Sequence, residues 1–370
     1  MIRTTAAAAL ALSTAATLAP GAAEARELSY AHYISPVHVV NTEGMAPFFE
    51  RVTEATGGEL TFKAYWGGSM GEAKELLGAI DTNIVDAGGI IDLYVKTALP
   101  HSNLLSSLFL PADDPKVFGA AMNEYQLLHC PGCLEDYEDN NVVPLAWYPT
   151  SPYLLMCTSE VATLDQLAGK KVRATSRMGV LMQNLGATPV SITSGEMYEA
   201  MQRGQADCSV GAAAWLTAYN IKDFVASILT DPLGAYIGSG LMNMNVYSWE
   251  DLEGSERQAI VDNLGQLVAD VTWAYLDEAD RAPQLTVEEN GAALVEAGPD
   301  LKARLGELRE AEWEAAIAAG EEDGIDDARA YIEGFREIAE KWRGIVAEVG
   351  DDKAAYAEAL NREIFSKLEP

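Results

Sequence analysis

Short apolar strands alternate with amphipathic helices in this 370-residue chain, and this alternation constrains its fold more than any other feature. Residues 27–33 and 59–65 alternate apolar and polar side chains, which is typical of strands. Residues 45–57 and 71–83 repeat apolar side chains at helical spacing, and residues 85–91 form a short apolar segment. This β-α-β-α-β order with short connections predicts a parallel sheet with helices on its faces.

The same alternation of strands and helices returns after residue 150, with four further predicted strands separated by short helices. The two regions also share three residue pairs at one constant offset: Glu75/Glu196, Ala79/Ala200 and Asp86/Asp207. In each region a helix leads through a tight turn to an acidic residue that opens a strand. One sheet unit used twice indicates two similar lobes with a cleft between them, and such clefts bind small ligands.

The last third of the chain is predicted to be helical. Residues 251–280 read as one long helix, and the remaining segments are amphipathic and strongly acidic. We interpret the acidic runs as solvated helix faces and assign no site to them.

Charge and the N-terminus restrict where the protein works. The net charge of -31 argues against nucleic acids and anionic membrane surfaces, because both repel an acidic protein. Arg3, the small apolar residues 6–19 and the A-x-A pattern at 23–25 predict a signal peptide over residues 1–25. No later segment is long and apolar enough to span a membrane, so we predict an exported, periplasmic protein.

The usual motifs of catalysis and metal binding are not found in the sequence. There is no G-x-S-x-G, P-loop, G-x-G-x-x-G or H-E-x-x-H pattern, and the four histidines show no ligand spacing. Four cysteines allow three disulfide pairings: Cys130, Cys133, Cys157 and Cys208. The Cys130-Pro-Gly-Cys133 segment is either a structural bridge or a thiol-disulfide motif, but it follows a predicted helix rather than a strand.

One arginine stands in a predicted buried strand. Arg173 follows Val172 in the segment Gly169–Arg177, where a solvated charge is not expected. Its partner is either a carboxylate of the neighbouring lobe or an anionic ligand. An arginine suits the second role because its planar guanidinium matches both oxygens of a carboxylate. Arg177 is either a second anion contact or a solvated residue at a helix start.

Three segments resemble the solute-binding proteins of TRAP transporters, and the resemblance covers essentially all of the mature chain. They are the residues 48–89, the TLDQLAGKKVR segment at 163–173, and LGATPVSITSGEMYEAMQRGQADC at 185–208. The resemblance implies an α/β, two-lobed periplasmic binding protein (type II-like), with a ligand cleft between the lobes and a helical C-terminal region. It also implies that Arg173 binds a ligand carboxylate and that membrane subunits of the transporter are partners.

Other family contact positions differ here. Many members carry a second arginine where this chain has Tyr153, and an asparagine where it has Gly211. The N-terminal contact position of the family falls at Tyr33, and the position after the third strand falls at Ile91, three residues before Tyr94. We expect Tyr33, Tyr94, Tyr153 and Trp215 to surround the body of the ligand, and Ser176 and the backbone around Gly211 to supply hydrogen bonds. One arginine with aromatic neighbours favours a monocarboxylate or sulfonate with an apolar or aromatic body over a C4-dicarboxylate. Each aromatic residue is alternatively part of the core.

The sequence therefore predicts a periplasmic solute receptor that binds a small organic anion and performs no chemistry on it. Neither a cofactor nor a metal is expected. The first lobe is predicted to comprise residues 27–150 and about 237–276, and the second residues 151–236 and about 277–370. Two alternatives remain: a periplasmic thiol-disulfide protein using Cys130 and Cys133, and a binding protein for a neutral or cationic solute.

Overall fold

The computed structural model describes residues 25–369, so nearly all of the predicted signal peptide lies outside the described residues. The strands are short, and most of them are buried on both faces. They are β1 (Arg26–Ala31), β2 (Leu60–Tyr65), β3 (Ala87–Gly88), β4 (Val142–Tyr148), β5 (Leu154–Cys157), β6 (Lys171–Arg173), β7 (Thr188–Val190), β8 (Cys208–Gly211), β9 (Ser227–Leu229), β10 (Ser239–Asn245) and β11 (Ala293–Val295).

These strands form two separate sheets, each at the centre of one lobe. The strand order is β2-β1-β3-β10-β4 in the first sheet and β11-β9-β5-β8-β6-β7 in the second. The predicted parallel pairs are present, since β1 runs parallel to β2 and β3, and β6 runs parallel to β7 and β8. The sheets as wholes are mixed, however: β10 is antiparallel to β3 and β4, and β5 is antiparallel to β8 and β9. Such strands flank two of the segments in which the chain passes from one lobe to the other, residues 149–153 and 230–238.

Helices cover both sheets and make up the C-terminal region. They are α1 (Ala46–Ala55), α2 (Leu76–Asp81), α3 (Pro100–Ser106), α4 (Pro115–Leu128), α5 (Pro131–Glu138), α6 (Leu164–Leu167), α7 (Ser176–Asn184), α8 (Met197–Gln202), α9 (Trp215–Ala218), α10 (Val246–Glu250), α11 (Gly254–Asp262), α12 (Leu264–Asn290), α13 (Pro299–Glu322), α14 (Ala328–Val349) and α15 (Lys353–Glu363).

Two helix predictions need correction. The helix expected over residues 71–83 is only α2, because the residues before Leu76 form a turn in which the Glu75 carboxylate accepts from the Glu72 N–H. The single helix expected over residues 251–280 is divided at Asn263 into α11 and α12, and α12 continues to Asn290.

The acidic pair Asp86/Asp207, found at one constant offset in the sequence, makes the same kind of hydrogen bond in each lobe. Asp86 precedes β3, and its carboxylate accepts a hydrogen bond from the backbone N–H of Ser29 on β1 at 2.8 Å. Asp207 precedes β8, and its carboxylate accepts from the backbone N–H of Lys171 on β6, also at 2.8 Å. In each lobe an aspartate therefore satisfies a backbone donor of the neighbouring parallel strand.

The C-terminal helices pack on the first lobe. α14 lies along α4, where the Phe335 and Phe118 rings are 6.1 Å apart. The indole N–H of the buried Trp342 donates to the Glu124 carboxylate at 2.7 Å, which satisfies a polar group that would otherwise lose its water. We therefore propose that α14 and α15 belong with the first lobe, although the sequence grouped residues 277–370 with the second. Within residues 25–369, no helix has the length and apolar character that a membrane span requires.

Candidate functional site

A small enclosed cavity lies between the two lobes, at the carboxyl ends of the parallel strands. In α/β sheets this is the edge at which ligands bind. Its wall includes Arg173 at the end of β6, Trp215 at the start of α9, and residues of both segments that cross between the lobes. Seven tyrosines also line it: Tyr33, Tyr94, Tyr148, Tyr153, Tyr219, Tyr236 and Tyr275.

Arg173 is buried at this cavity, with only 1% of its surface exposed. Its Nε donates to the Ile192 carbonyl at 3.0 Å, its Nη1 to the Val210 carbonyl at 3.3 Å, and its Nη2 to the Tyr94 hydroxyl at 3.0 Å. A guanidinium has five N–H donors, so these three bonds leave one N–H on each terminal nitrogen. Two adjacent donors of this kind fit the two oxygens of a carboxylate.

The charge of Arg173 is not balanced by the protein. Within residues 25–369 no carboxylate lies in ion-pair range of its guanidinium, and none lines the cavity. Burial disfavours the charged form of several neighbouring groups: it lowers the pKa of His38 to about 3 and raises the pKa of Tyr148 to about 12. Burial also raises the pKa of Tyr33 and Tyr153. The cavity thus has a net positive charge in a protein whose overall charge is -31.

Aromatic rings hold the guanidinium on one side. The Trp215 ring centroid lies 5.2 Å from the guanidinium carbon of Arg173, a cation–π contact, and 5.2 Å from the Tyr153 ring. Gly211 makes this possible, because a Cβ at that position would lie 2.1 Å from the Trp215 ring. Gly211 itself is not part of the cavity wall; its backbone pairs with Leu154 in the second sheet.

Two tyrosines of the first lobe reach the second lobe across the cavity. The Tyr94 hydroxyl, which accepts from Arg173, also accepts from the backbone N–H of Ser194 at 3.0 Å. The Tyr33 hydroxyl lies 3.0 Å from the Ser194 hydroxyl. These contacts hold the lobes together, and the cavity that remains measures about 20 Å³, room for about one water molecule.

The predicted contact Ser176 lies just outside this cavity. It borders a neighbouring opening on the cleft instead, and its φ of +50° turns the chain sharply after β6. The residue before it, Thr175, lines the cavity, and its buried hydroxyl has no hydrogen-bond partner among the described residues. Arg177 does not line the cavity. It is not a solvated residue either, because its guanidinium forms a bidentate ion pair with Glu312 of α13.

Several wall residues were not predicted from the sequence. Tyr219 stands four residues after Trp215, so helical spacing offered a signal for it. Ser194 opens the capped turn after β7, where the sequence predicts the start of a short helix but gives no sign of a ligand contact. Five others carry no local signal, because they come from α12 or from the strand ends and connections between the lobes: Tyr148, Thr150, Tyr236, Ser239 and Tyr275.

The cysteines lie apart from the cavity. Cys130 bonds to Cys133 at the start of α5, and Cys157 bonds to Cys208 across the paired strands β5 and β8. All four are buried, so an attacking thiolate has no direct access to either bridge. Among residues 25–369 no group of three or more metal-ligating side chains lies close enough to hold an ion.

Comparison with known proteins gives one family. The family model described as bacterial extracellular solute-binding protein, family 7, matches residues 30–319. Among curated proteins, an uncharacterised protein of Salmonella typhimurium, YiiZ, is 22% identical over 187 residues. That match covers 49% of this chain and 54% of the relative, so the chain spans about half the length of that protein.

Solved structures match over nearly their whole length. A TRAP periplasmic solute-binding protein from Bordetella bronchiseptica with bound mandelate has a TM-score of 0.72 at 21% identity. The match covers 85% of this chain and 99% of that one. A marine metagenome TRAP solute-binding protein specific for pyroglutamate, from an unidentified microbe, also scores 0.72, at 18% identity and with coverage of 85% and 99%. At these identities the likeness shows the two-lobed fold.

Proposed function

Since the chain belongs to the bacterial extracellular solute-binding protein family 7, whose structural neighbours are TRAP solute receptors, we propose that it binds a small organic monoanion between its lobes. The protein delivers this anion to the membrane subunits of a TRAP uptake system and does not alter it. It is exported to the periplasm after removal of residues 1–25.

One observation carries this proposal: Arg173 is buried at the cavity without a carboxylate partner in residues 25–369. A charge removed from water is costly unless it is paired. Two carbonyl oxygens and one phenol oxygen solvate the guanidinium but do not neutralise it. An anionic ligand supplies the missing charge. The alternative of a neutral or cationic solute would require an internal ion pair at Arg173, and none lies within the described residues.

The walls favour a ligand with a flat or apolar body. Tyr153 and Trp215 present rigid ring surfaces beside Arg173, and such rings provide large contact area at small entropic cost. The Thr175 hydroxyl, which has no partner among the described residues, supplies one further donor two residues after Arg173. A single arginine, with no lysine or second arginine among the described wall residues, suits a monoanion better than a dianion. Mandelate and pyroglutamate, bound by two structural neighbours, each carry one carboxylate.

Binding requires the lobes to separate first. A cavity of about 20 Å³ cannot hold even a small carboxylate, so the contacts of Tyr33 and Tyr94 with the second lobe must open before a ligand enters. Closure around the ligand then excludes water and strengthens the charge interaction at Arg173. Hinge closure of this kind is the established motion of two-lobed binding proteins.

A thermal-shift screen tests the proposal. Mandelate, pyroglutamate and benzenesulfonate are compared with mandelamide, which keeps the shape of mandelate without its charge, and with the cation benzylamine. A ligand that binds only the folded protein stabilises it by about 2.7 kcal/mol at a hundredfold excess over its Kd. We expect an increase in Tm with one or more anions and none with mandelamide or benzylamine. Stabilisation by mandelamide or benzylamine alone would contradict an anion receptor.

A further inference from the structure

Three openings on the cleft surround the enclosed cavity, and their charges differ. The first, named here the lysine vestibule, is lined by residues that include Lys74, Lys96, Tyr94, Thr175, Ser176 and Thr193, and it measures about 370 Å³. Among residues 25–369, no aspartate or glutamate lines it. In a chain with 56 acidic and 25 basic residues, an acid-free wall with two lysines is an unusual local composition.

The other two openings lack this character. One measures about 520 Å³ and carries four glutamates, Glu72, Glu75, Glu196 and Glu199, against the single Lys74. The other measures about 320 Å³ and shares Lys96 with the vestibule, but it contains Asp323, and its Arg177 is held by Glu312. An anion approaching the cleft therefore meets attraction at the lysine vestibule and repulsion at the glutamate-lined opening.

The two vestibule lysines are free of ion pairs. Both are exposed, and neither has a carboxylate or hydrogen-bond partner within residues 25–369. Five other lysines do pair with carboxylates: Lys116, Lys222, Lys302, Lys341 and Lys353. Glu196 accepts capping hydrogen bonds from Thr193 and lines the glutamate-lined opening rather than the vestibule.

The vestibule adjoins the cavity directly. Leu93, Tyr94 and Thr175 line both spaces, so Tyr94 forms the partition between them. The Tyr94 hydroxyl accepts a hydrogen bond from Arg173. When the lobes separate, the Tyr94 ring moves away with the first lobe, and the vestibule becomes continuous with the space beside the guanidinium. Lys74 and Lys96 belong to the first lobe, whereas Thr175 and Ser176 belong to the second, so the vestibule widens when the cleft opens.

We infer that the lysine vestibule is a capture site, at which Lys74 and Lys96 attract the organic anion before it passes Tyr94 and reaches Arg173. This inference rests on the proposed receptor function and assigns the route of entry. The lysines raise the rate at which the anion associates and contribute little to the stability of the closed complex. Exposed charges attract an anion within about a Debye length, and salt screens this attraction.

Stopped-flow tryptophan fluorescence tests the inference, since Trp215 lines the cavity. The association rate of each anion in the panel is compared for wild type, the K74Q/K96Q variant and the K63Q/K367Q variant. Lys63 and Lys367 are exposed, make no ion pair with a described residue and lie outside the vestibule, so this control removes the same net charge. Rates are measured at about 10 mM and about 1 M salt, where the Debye length is about 30 Å and about 3 Å.

We expect K74Q/K96Q to lower the association rate by about tenfold at low salt, with little change in the dissociation rate and little effect at high salt. The control should change the rate far less. Equal association rates for the two double variants would contradict the capture role of Lys74 and Lys96 while leaving the receptor proposal intact. If no anion of the panel binds the wild type, the receptor proposal fails, and the inference fails with it.

Discussion

The hydroxyl of Tyr94 in the first lobe lies 3.0 Å from Nη2 of Arg173 in the second lobe. The same oxygen accepts from the backbone N–H of Ser194 at 3.0 Å. One phenol oxygen therefore satisfies two donors of the opposite lobe. This contact both closes the cleft and holds the guanidinium beside the cavity.

Replacing Tyr94 by phenylalanine is expected to weaken closure. The change removes the acceptor of two part-buried donors, at a cost of about 1–3 kcal/mol for a donor left without a partner. Differential scanning calorimetry should show a lower Tm without ligand, and small-angle scattering a larger radius of gyration. Tyr33→Phe is the matched control, because its hydroxyl contacts only the Ser194 side chain, which can rotate to another partner. Equal effects of the two changes would contradict a special role of Tyr94.

Gly211→Ala is expected to displace Trp215. The added Cβ would lie 2.1 Å from the indole ring, so the ring or the end of β8 must move. Overpacking of this kind costs about 1–3 kcal/mol of unfolding free energy. Anion affinity should fall as well, because Trp215 positions Arg173. Gly254→Ala is the control, since no atom lies within contact of its Cβ and its φ is not positive. Calorimetry and ligand titration measure both effects, and unchanged affinity in Gly211→Ala would contradict this role of Trp215.

The two disulfides are expected to contribute unequally to stability. The Cys157–Cys208 bridge spans a sequence separation of 51 residues, whereas Cys130–Cys133 spans 3. In the chain-entropy account, the longer loop corresponds to about 4 kcal/mol and the shorter one to about half of that. The paired serine variants of each bridge are compared by urea unfolding. A larger loss in the Cys130→Ser/Cys133→Ser protein would contradict this ranking.

Stability is expected to depend on pH through a buried histidine. Burial lowers the pKa of His32 from its ordinary value of 6.5 to about 3, and neither ring nitrogen has a partner among the described residues. The unfolded chain therefore takes up a proton below pH 6.5 that the folded chain does not. The free energy of unfolding should fall as the pH drops from about 6.5 towards 3.

His32→Phe should remove this contribution and reduce the slope between those pH values, while His38, whose pKa burial also lowers to about 3, still contributes to it. His129→Phe is the control, because the His129 ring is 44% exposed. The buried carboxyl of Asp92 acts in the opposite direction, since burial raises its pKa to about 7 and its protonation favours the folded chain at lower pH. Each variant is therefore compared with wild type at every pH by urea unfolding. Parallel curves for His32→Phe and wild type would contradict the assignment.

The local pattern of the sequence predicted the parallel half of each sheet. Strands β1 and β2 agree with the segments 27–33 and 59–65 to within about a residue or two at each end, an ordinary uncertainty for element boundaries. β10 could not be predicted in the same way. Its sequence, SGLMNMN, is buried along its whole length, so it shows no alternation between two faces. Its antiparallel direction follows from the return of the chain to the first lobe, which is a long-range property.

The predicted cavity residues mostly stand at or after the ends of strands. Arg173, Tyr33 and Tyr94 stand at or just after parallel strands, and the structure brings them together at one cavity. Thr175 lines the cavity, whereas the predicted contact Ser176 is the next residue of the same turn. The sequence pattern does not show which of two adjacent turn residues faces the cavity. Tyr236 and Tyr275 enter from a crossing segment and a distant helix, whose approach depends on tertiary packing.

The most direct test of the account is the affinity of an organic anion for Arg173 variants. Isothermal titration with the most stabilising anion of the panel compares wild type with Arg173→Lys, Arg173→Ala and the control Arg203→Ala, an exposed arginine of the same lobe. Loss of a buried charged contact costs about 2–5 kcal/mol, so Arg173→Ala should raise Kd by at least about thirtyfold. The Kd of Arg173→Lys should lie between those of wild type and Arg173→Ala, because lysine offers a single point charge. A Kd for folded Arg173→Ala equal to that of wild type would contradict the claim that Arg173 holds the ligand.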